Sequence, residues 1–163
     1  MLPVLEETLG PGVVEALGRS ADQLRDDADL LETLAADLLR DARRAACADV
    51  DAGTSERALD AGTDARTSEH TLDVVVLERA HPALRRRALR LAALAVGCKP
   101  GDTTTRHVDA LDALVVSWSG QGSVHLPGGA RARRACGSLF LRAAPTGIPD
   151  GGTGVRPSST TRE

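Results

Sequence analysis

Apolar positions along this chain follow a helical period over most of its length and a strand period near its end. From about Val13 to Ala46, leucines recur every seven residues at Leu17, Leu24, Leu31 and Leu38. Val14, Ala21, Ala28 and Ala35 each stand three residues before one of them. That spacing predicts one long helix with a narrow seam, small residues at one seam position and leucine at the other. Asp22, Arg25, Asp26, Asp29, Glu32 and Asp37 occupy the other face, which reads as solvated. The seam is expected to pack on the chain's own domain. A self-associating coiled coil, hence a homodimer through this helix, is the alternative, because the repeat reaches the minimum of roughly three to four heptads. Upstream, residues 3–9 read as a short helix that Pro3 opens and Gly10-Pro11-Gly12 breaks.

Residues 49–71 lack any helical period and read as a polar connector. Leu72 to Leu77 is β-branched and apolar, fit for a short strand or the start of a helix. Pro82 suits the first turn of a helix running to about Val96, where Gly97 and then Pro100-Gly101 stop it. Thr103-Thr104-Thr105 offers an N-cap for a helix over about 106–118, with Val108, Leu111, Leu114 and Val115 as its apolar stripe. After Ser119-Gly120-Gln121-Gly122 the period falls to two. Short strands are expected over 124–126, 130–134 and 138–142, a β-meander that must pack on the helices. From 143 onward Gly, Pro, Ser and Thr predict a disordered tail. The expected fold is mainly α with a small β-meander (α+β). Its parts are a long linking helix region (1–48), a connector (49–71), a helical and β-hairpin domain (72–142) and a tail (143–163).

Composition changes the picture of the core. Trp118 and Phe140 are the only aromatic residues, so Leu, Val and Ala must fill the interior, with Trp118 assigned to it. The longest apolar runs fall far short of the roughly 20 residues that span a bilayer. Glu6 and Glu7 stand where a signal peptide would carry Lys or Arg. A soluble, cytoplasmic chain without membrane contact is expected. Cys47, Cys98 and Cys136 are scattered and odd in number, which argues against a disulfide framework or a zinc site and for buried structural thiols.

Charge is divided along the chain. Residues 1–80 carry 18 acidic and 8 basic side chains, whereas residues 81–142 carry 3 acidic and 10 basic, all Arg except Lys99. A basic half suggests a polyanionic partner, and the guanidinium fork suits phosphate. The same Arg-for-Lys bias follows from GC-rich coding, which weakens it as a functional sign. Within the helix after Pro82, Arg86, Arg87 and Arg90 fall within about 100° of one another, opposite Leu84, Ala88 and Leu91. They are candidate phosphate contacts. Pairing with acidic residues of the first half, such as Asp26 or Asp29, is the competing reading. Arg131, Arg133 and Arg134 form a second candidate group, with Arg131 and Arg133 on one strand face. Phosphate contacts of this kind supply affinity and salt dependence, not sequence readout.

No catalytic constellation is visible. The four histidines lack ligand spacing and read as solvated or structural, and Asp109 and Asp112 have a spacing commonplace on exposed helices. Phosphate-loop, nucleophile-elbow and dinucleotide-binding glycine motifs are absent.

Two stretches nevertheless carry a recognisable pattern: "LERAHPALRRRALRLAALAVG" at 77–97 and "RHVDALDALVVSWSGQGSVHLPGGARARRACGSL" at 106–139. Together they resemble the carboxy-terminal, substrate-binding region of bacterial, especially actinobacterial, tRNA(Ile)-lysidine synthetases. "GRSADQLRDDADLLE" at 18–32 is similar to that family's long linking helix. The resemblance implies a tRNA partner. It also implies, for the full enzyme, ATP as cofactor and lysine as co-substrate in the ligation of lysine to the anticodon cytidine of an isoleucine tRNA. In the family, ATP is held by an amino-terminal domain with an SGGxDS loop. This sequence has no such loop, so the chain is expected to be a truncated, catalytically incompetent tRNA-binding portion that binds no cofactor by itself. A coiled-coil-type protein interaction module is the alternative function.

Overall fold

A computed structural model describes residues 6, 8, 10–52 and 69–144. The elements are α1 (Val13–Ala52), β1 (Glu69–Asp73), α2 (Val74–Arg79), α3 (Pro82–Ala95), α4 (Thr105–Val116), β2 (Val124–His125), β3 (Arg131–Ala135) and β4 (Ser138–Arg142). A short 3₁₀ turn, Pro127–Gly129, joins β2 to β3. The fold is mainly helical with a small antiparallel sheet, as expected. The expected helix at 3–9 lies mostly outside the described residues, and so do most of the connector and the tail from 145 onward.

The sheet has four strands, in the order β1-β4-β3-β2, where the pattern predicted three. The extra strand is β1, which begins inside the expected polar connector. Only Leu72 is strongly apolar in Glu69-His70-Thr71-Leu72-Asp73, and the segment becomes a strand by pairing antiparallel with β4, Leu72 opposite Leu139. Long-range pairing of this kind leaves little local trace. The ambiguity at 72–77 resolves as strand then helix: Asp73 ends β1 and caps α2, its carboxylate accepting from the Val76 amide at 2.7 Å.

Leucine fills the centre. Leu72, Leu77, Leu89, Leu111, Leu114, Leu139 and Leu141 are fully buried. Ala35 and Ala42 of α1 share one buried cluster with Ala88, Ala92 and Ala93 of α3. Small side chains on both helices permit close approach without aromatic filling. α3 ends in a Schellman motif: Gly97 (φ 98°) donates to Leu94 O at 3.0 Å and Cys98 to Ala93 O at 3.1 Å.

The long helix divides in two. Its second half joins the core through Ala35, Leu39, Ala42 and Ala46, as intramolecular packing requires. Its first half does not, and Leu17 and Leu24 are 51% and 67% exposed. The expectation that the whole seam packs inward therefore holds only from about Leu31 onward. Three aspartates of α1 serve its own arginines: Asp22 pairs with Arg25, Asp37 with Arg40 at 2.8 Å and Asp41 with Arg44 at 3.2 Å.

Candidate nucleic-acid interface

Helix α3 sorts its arginines by direction. Arg85 points inward and is buried. Its Nε donates to Asp112 Oδ1 at 2.6 Å, and its Nη1 donates to Ala80 O at 3.0 Å and Glu78 O at 3.4 Å. Asp112 is buried with it, contrary to the sequence reading of Asp109 and Asp112 as commonplace exposed residues. A buried arginine demands a carboxylate, because leaving either charge alone is costly.

The three predicted residues of this helix lie together. Arg86, Arg87 and Arg90 line one open hollow of about 480 Å³ with Thr103, Thr104, Thr105, Val108 and Asp109, at the start of α4. Arg86 is partly neutralised there, its Nε lying 3.4 Å from Asp112 and 3.7 Å from Asp109. Arg90 donates to Pro100 O at 3.2 Å and has no carboxylate partner among the described residues. Arg87 is exposed and unpaired among the described residues. Glu32 of α1 borders an adjoining hollow with Arg87 and Arg90 without forming an ion pair with them. Among the described residues, neither Asp26 nor Asp29 pairs with this cluster, so its neutralising carboxylates come from α4 and not from the acidic first half.

The strand group divides. Arg131 and Arg133 are exposed on the outer sheet face, where they line a smaller hollow with Glu69, Ser123, Phe140 and Arg142. Arg131 stands between His125 and Arg142 in the strand register. Arg142 reaches Glu69 Oε2 at 3.2 Å, and the Arg133 guanidinium lies over the Phe140 ring at 4.6 Å. Arg134 points the other way. Its Nη1 donates to Leu114 O at 3.0 Å and Val115 O at 2.8 Å, two carbonyls of the last turn of α4. Its guanidinium also lies 5.2 Å from the Trp118 ring centre. Arg134 is thus a helix-end ligand, and period-two alternation from Arg133 is the signal that could have separated it.

Trp118 departs from expectation. It is 46% exposed, just past the end of α4, instead of filling the core. The stripe of α4 ends at Val115, and the chain has turned out of the helix by Ser117.

Two of the histidines cap helices. His81 Nδ1 accepts from the Ala83 amide at 3.2 Å, and His107 Nδ1 from the Thr104 amide at 3.1 Å, each capping a helix start. Of the cysteines only Cys98 is buried; Cys47 and Cys136 are exposed, against the expectation of buried thiols. The Cys98 thiol donates to Pro127 O at 3.4 Å, and desolvation raises its pKa. Among the described residues, no group of three or more His, Cys, Asp or Glu side chains could hold a metal ion.

Gly128 and Gly129 do not form a phosphate cradle. Both have positive φ, a strand follows them, and a Cβ on Gly129 would meet Ala144 Cβ at 3.1 Å, so packing explains the glycine.

Fold and surface together define a helical domain with a small sheet, which presents two clusters of exposed arginines, Arg86, Arg87 and Arg90 on α3 and Arg131 and Arg133 on β3. Residues 72–140 match the family model of the TilS substrate binding domain. The chain is 43% identical over 142 residues to a tRNA(Ile)-lysidine synthase of Thermobifida fusca, covering 87% of this chain and 37% of that protein. It is 40% identical over 141 residues to that of Streptomyces coelicolor (86% and 34%), and 37% identical over 150 residues to that of Mycobacterium bovis (89% and 40%). The resemblance noted in the sequence is thereby established, and it extends over nearly the whole chain. The chain spans a little over a third of the length of the first two relatives.

Proposed function

We propose that this chain supplies the tRNA-holding part of a tRNA(Ile)-lysidine synthase. One observation carries the reading: Arg87 and Arg90 are exposed beside Arg86 in a single hollow, and neither has a carboxylate partner among the described residues. Arg131 and Arg133 extend the basic surface on the sheet, whereas Arg134 is set aside as structural. Clustered guanidiniums without carboxylates repel one another, and a phosphate backbone relieves that repulsion. ATP and lysine are substrates of the whole synthase in this reading, used by residues other than those described here. The place of action is the cytoplasm; no helix of the described residues is long and apolar enough to cross a membrane.

The test is a gel-shift titration with transcribed isoleucine tRNA at low and moderate salt. Binding that weakens steeply with salt is expected. Arg87→Ala with Arg90→Ala should reduce the slope of log affinity against log salt by about 1 for each phosphate no longer neutralised. No binding at low salt, or a slope unchanged in the double variant, would count against the reading.

A second reading concerns α1. Leu17 and Leu24 expose apolar surface on the predicted seam, which supports pairing of two copies through the first half of this helix. Sedimentation would show a dimer that Leu24→Asp with Leu31→Asp dissolves; a monomer at every concentration ends that idea.

A further inference from the structure

We propose that Trp118 is a stacking platform for one unpaired base of the bound RNA, an inference that rests on the tRNA-binding reading and adds an interaction of a different chemical kind. Trp118 is the only tryptophan in the chain, and nearly half of it faces solvent. It is not a loose side chain on a loose loop. The Arg134 guanidinium lies at 5.2 Å from its ring, and that guanidinium is itself fixed by the Leu114 and Val115 carbonyls. Gln121 ties the backbone on both sides of Trp118, its Nε2 donating to Ser117 O at 2.9 Å and its Oε1 accepting from the Ser119 amide at 2.6 Å. The ring is therefore held before any ligand arrives, which reduces the ordering cost of binding.

The surroundings favour a base over a protein partner. Beyond Trp118, residues 117–123 are serine, glycine and glutamine, all exposed. Val116 is the one exposed large apolar neighbour in sequence. Two such residues make too small an apolar patch for a protein interface, whose anchors sit in packed apolar surroundings. A single aromatic plane in a polar rim suits a single heterocycle, since every base has a face to stack and needs no matching pocket. The charge fits as well. Arg134 places a cation beside the ring, and residues 81–142 carry 10 basic against 3 acidic side chains, complementary to a nucleic-acid strand and not to another basic surface.

Because the chain has one tryptophan, its emission reports on this site alone. The full chain is titrated with transcribed isoleucine tRNA, and with a fully paired RNA duplex as control, by tryptophan fluorescence and by gel shift. Stacking quenches Trp118 emission with the tRNA and leaves it nearly unchanged with the duplex. Trp118→Ala weakens tRNA binding about tenfold, by the same factor at low and moderate salt, and Trp118→Phe recovers part of the loss. The arginine variants instead change the salt slope. If the tRNA shifts the wild-type chain but leaves Trp118 emission unaltered and Trp118→Ala binds equally well, stacking is overturned and the arginine reading stands. If Trp118→Ala changes sedimentation and not RNA affinity, Trp118 serves a protein contact and stacking is again overturned. If the wild-type chain binds neither RNA, both readings fall together.

Discussion

Two arginine-rich segments, one helical and one extended, solve the same problem in different ways. In α3 the residues Arg85, Arg86 and Arg87 are consecutive, yet Arg85 is buried and the other two face solvent. In β3 Arg133 and Arg134 are consecutive, yet Arg133 lies on the outer face and Arg134 turns toward α4. The inward member is stabilised by an ion in the first case, Asp112, and by dipoles and a ring in the second. The helical arginine therefore has a partner that suffers if abandoned, whereas the strand arginine leaves only neutral carbonyls behind. The inward arginines are tied into the domain, and the outward ones are the residues that the proposed tRNA contact would use.

The largest test of this contrast is Arg85→Ala. It leaves Asp112 buried with only the more distant, half-exposed Arg86, and a loss of roughly 3–5 kcal/mol in unfolding free energy is expected. Urea unfolding measures it. Arg134→Ala exposes or orphans two helix-end carbonyls and should cost less, about 1–3 kcal/mol, by the same measurement. Equal losses in the two variants would erase the distinction between ionic and dipolar support. Arg87→Ala with Arg90→Ala comes third. Both side chains are exposed, so unfolding free energy should change by about 0.5 kcal/mol or less while the salt slope of tRNA binding falls. A stability loss comparable to that of Arg134→Ala would mean these arginines hold the fold and not a ligand.

How far these roles were legible in the sequence depends on whether a residue's partner is local. The helices of the domain could be read because their signals are local: Pro82 at the start of α3, Gly97 at its end, Thr104 before α4. The shared direction of Arg86, Arg87 and Arg90 follows from the helical period alone. Three features were not legible. Asp112 looks like any surface aspartate until α3 and α4 bring Arg85 within 2.6 Å, across 27 residues of sequence. β1 exists because β4, some seventy residues later, pairs with it. Trp118 sits one turn beyond the last buried residue of its stripe, a boundary shift small enough to reverse its assignment. For α1, the seven-residue repeat was visible, but nothing in the repeat says where along it the domain ends and solvent begins.

A third inward arginine gives the finest test. Arg43 of α1 has Nε and Nη2 buried without a hydrogen-bond partner among the described residues, so it lacks both kinds of support found for Arg85 and Arg134. Its neighbour His70, in β1, has its pKa lowered below 6.5 by desolvation first and by the Arg43 charge second. The sign follows directly. The folded state holds neutral His70 to a lower pH than the unfolded chain does, so folding opposes protonation. Stability from this group is full above about pH 6.5 and is lost as pH falls through the lowered folded value; below that value no further loss occurs. Urea unfolding at about pH 8 and about pH 5.5 should therefore show a loss at the lower pH that His70→Gln diminishes. Arg43→Met should be neutral or slightly stabilising at the higher pH, because it removes unsatisfied buried N–H groups. It should also narrow the pH dependence without abolishing it, since desolvation of His70 remains. If Arg43→Met instead destabilises as Arg85→Ala does, Arg43 has an ionic partner beyond the described residues, and the contrast between supported and unsupported inward arginines fails at its third member.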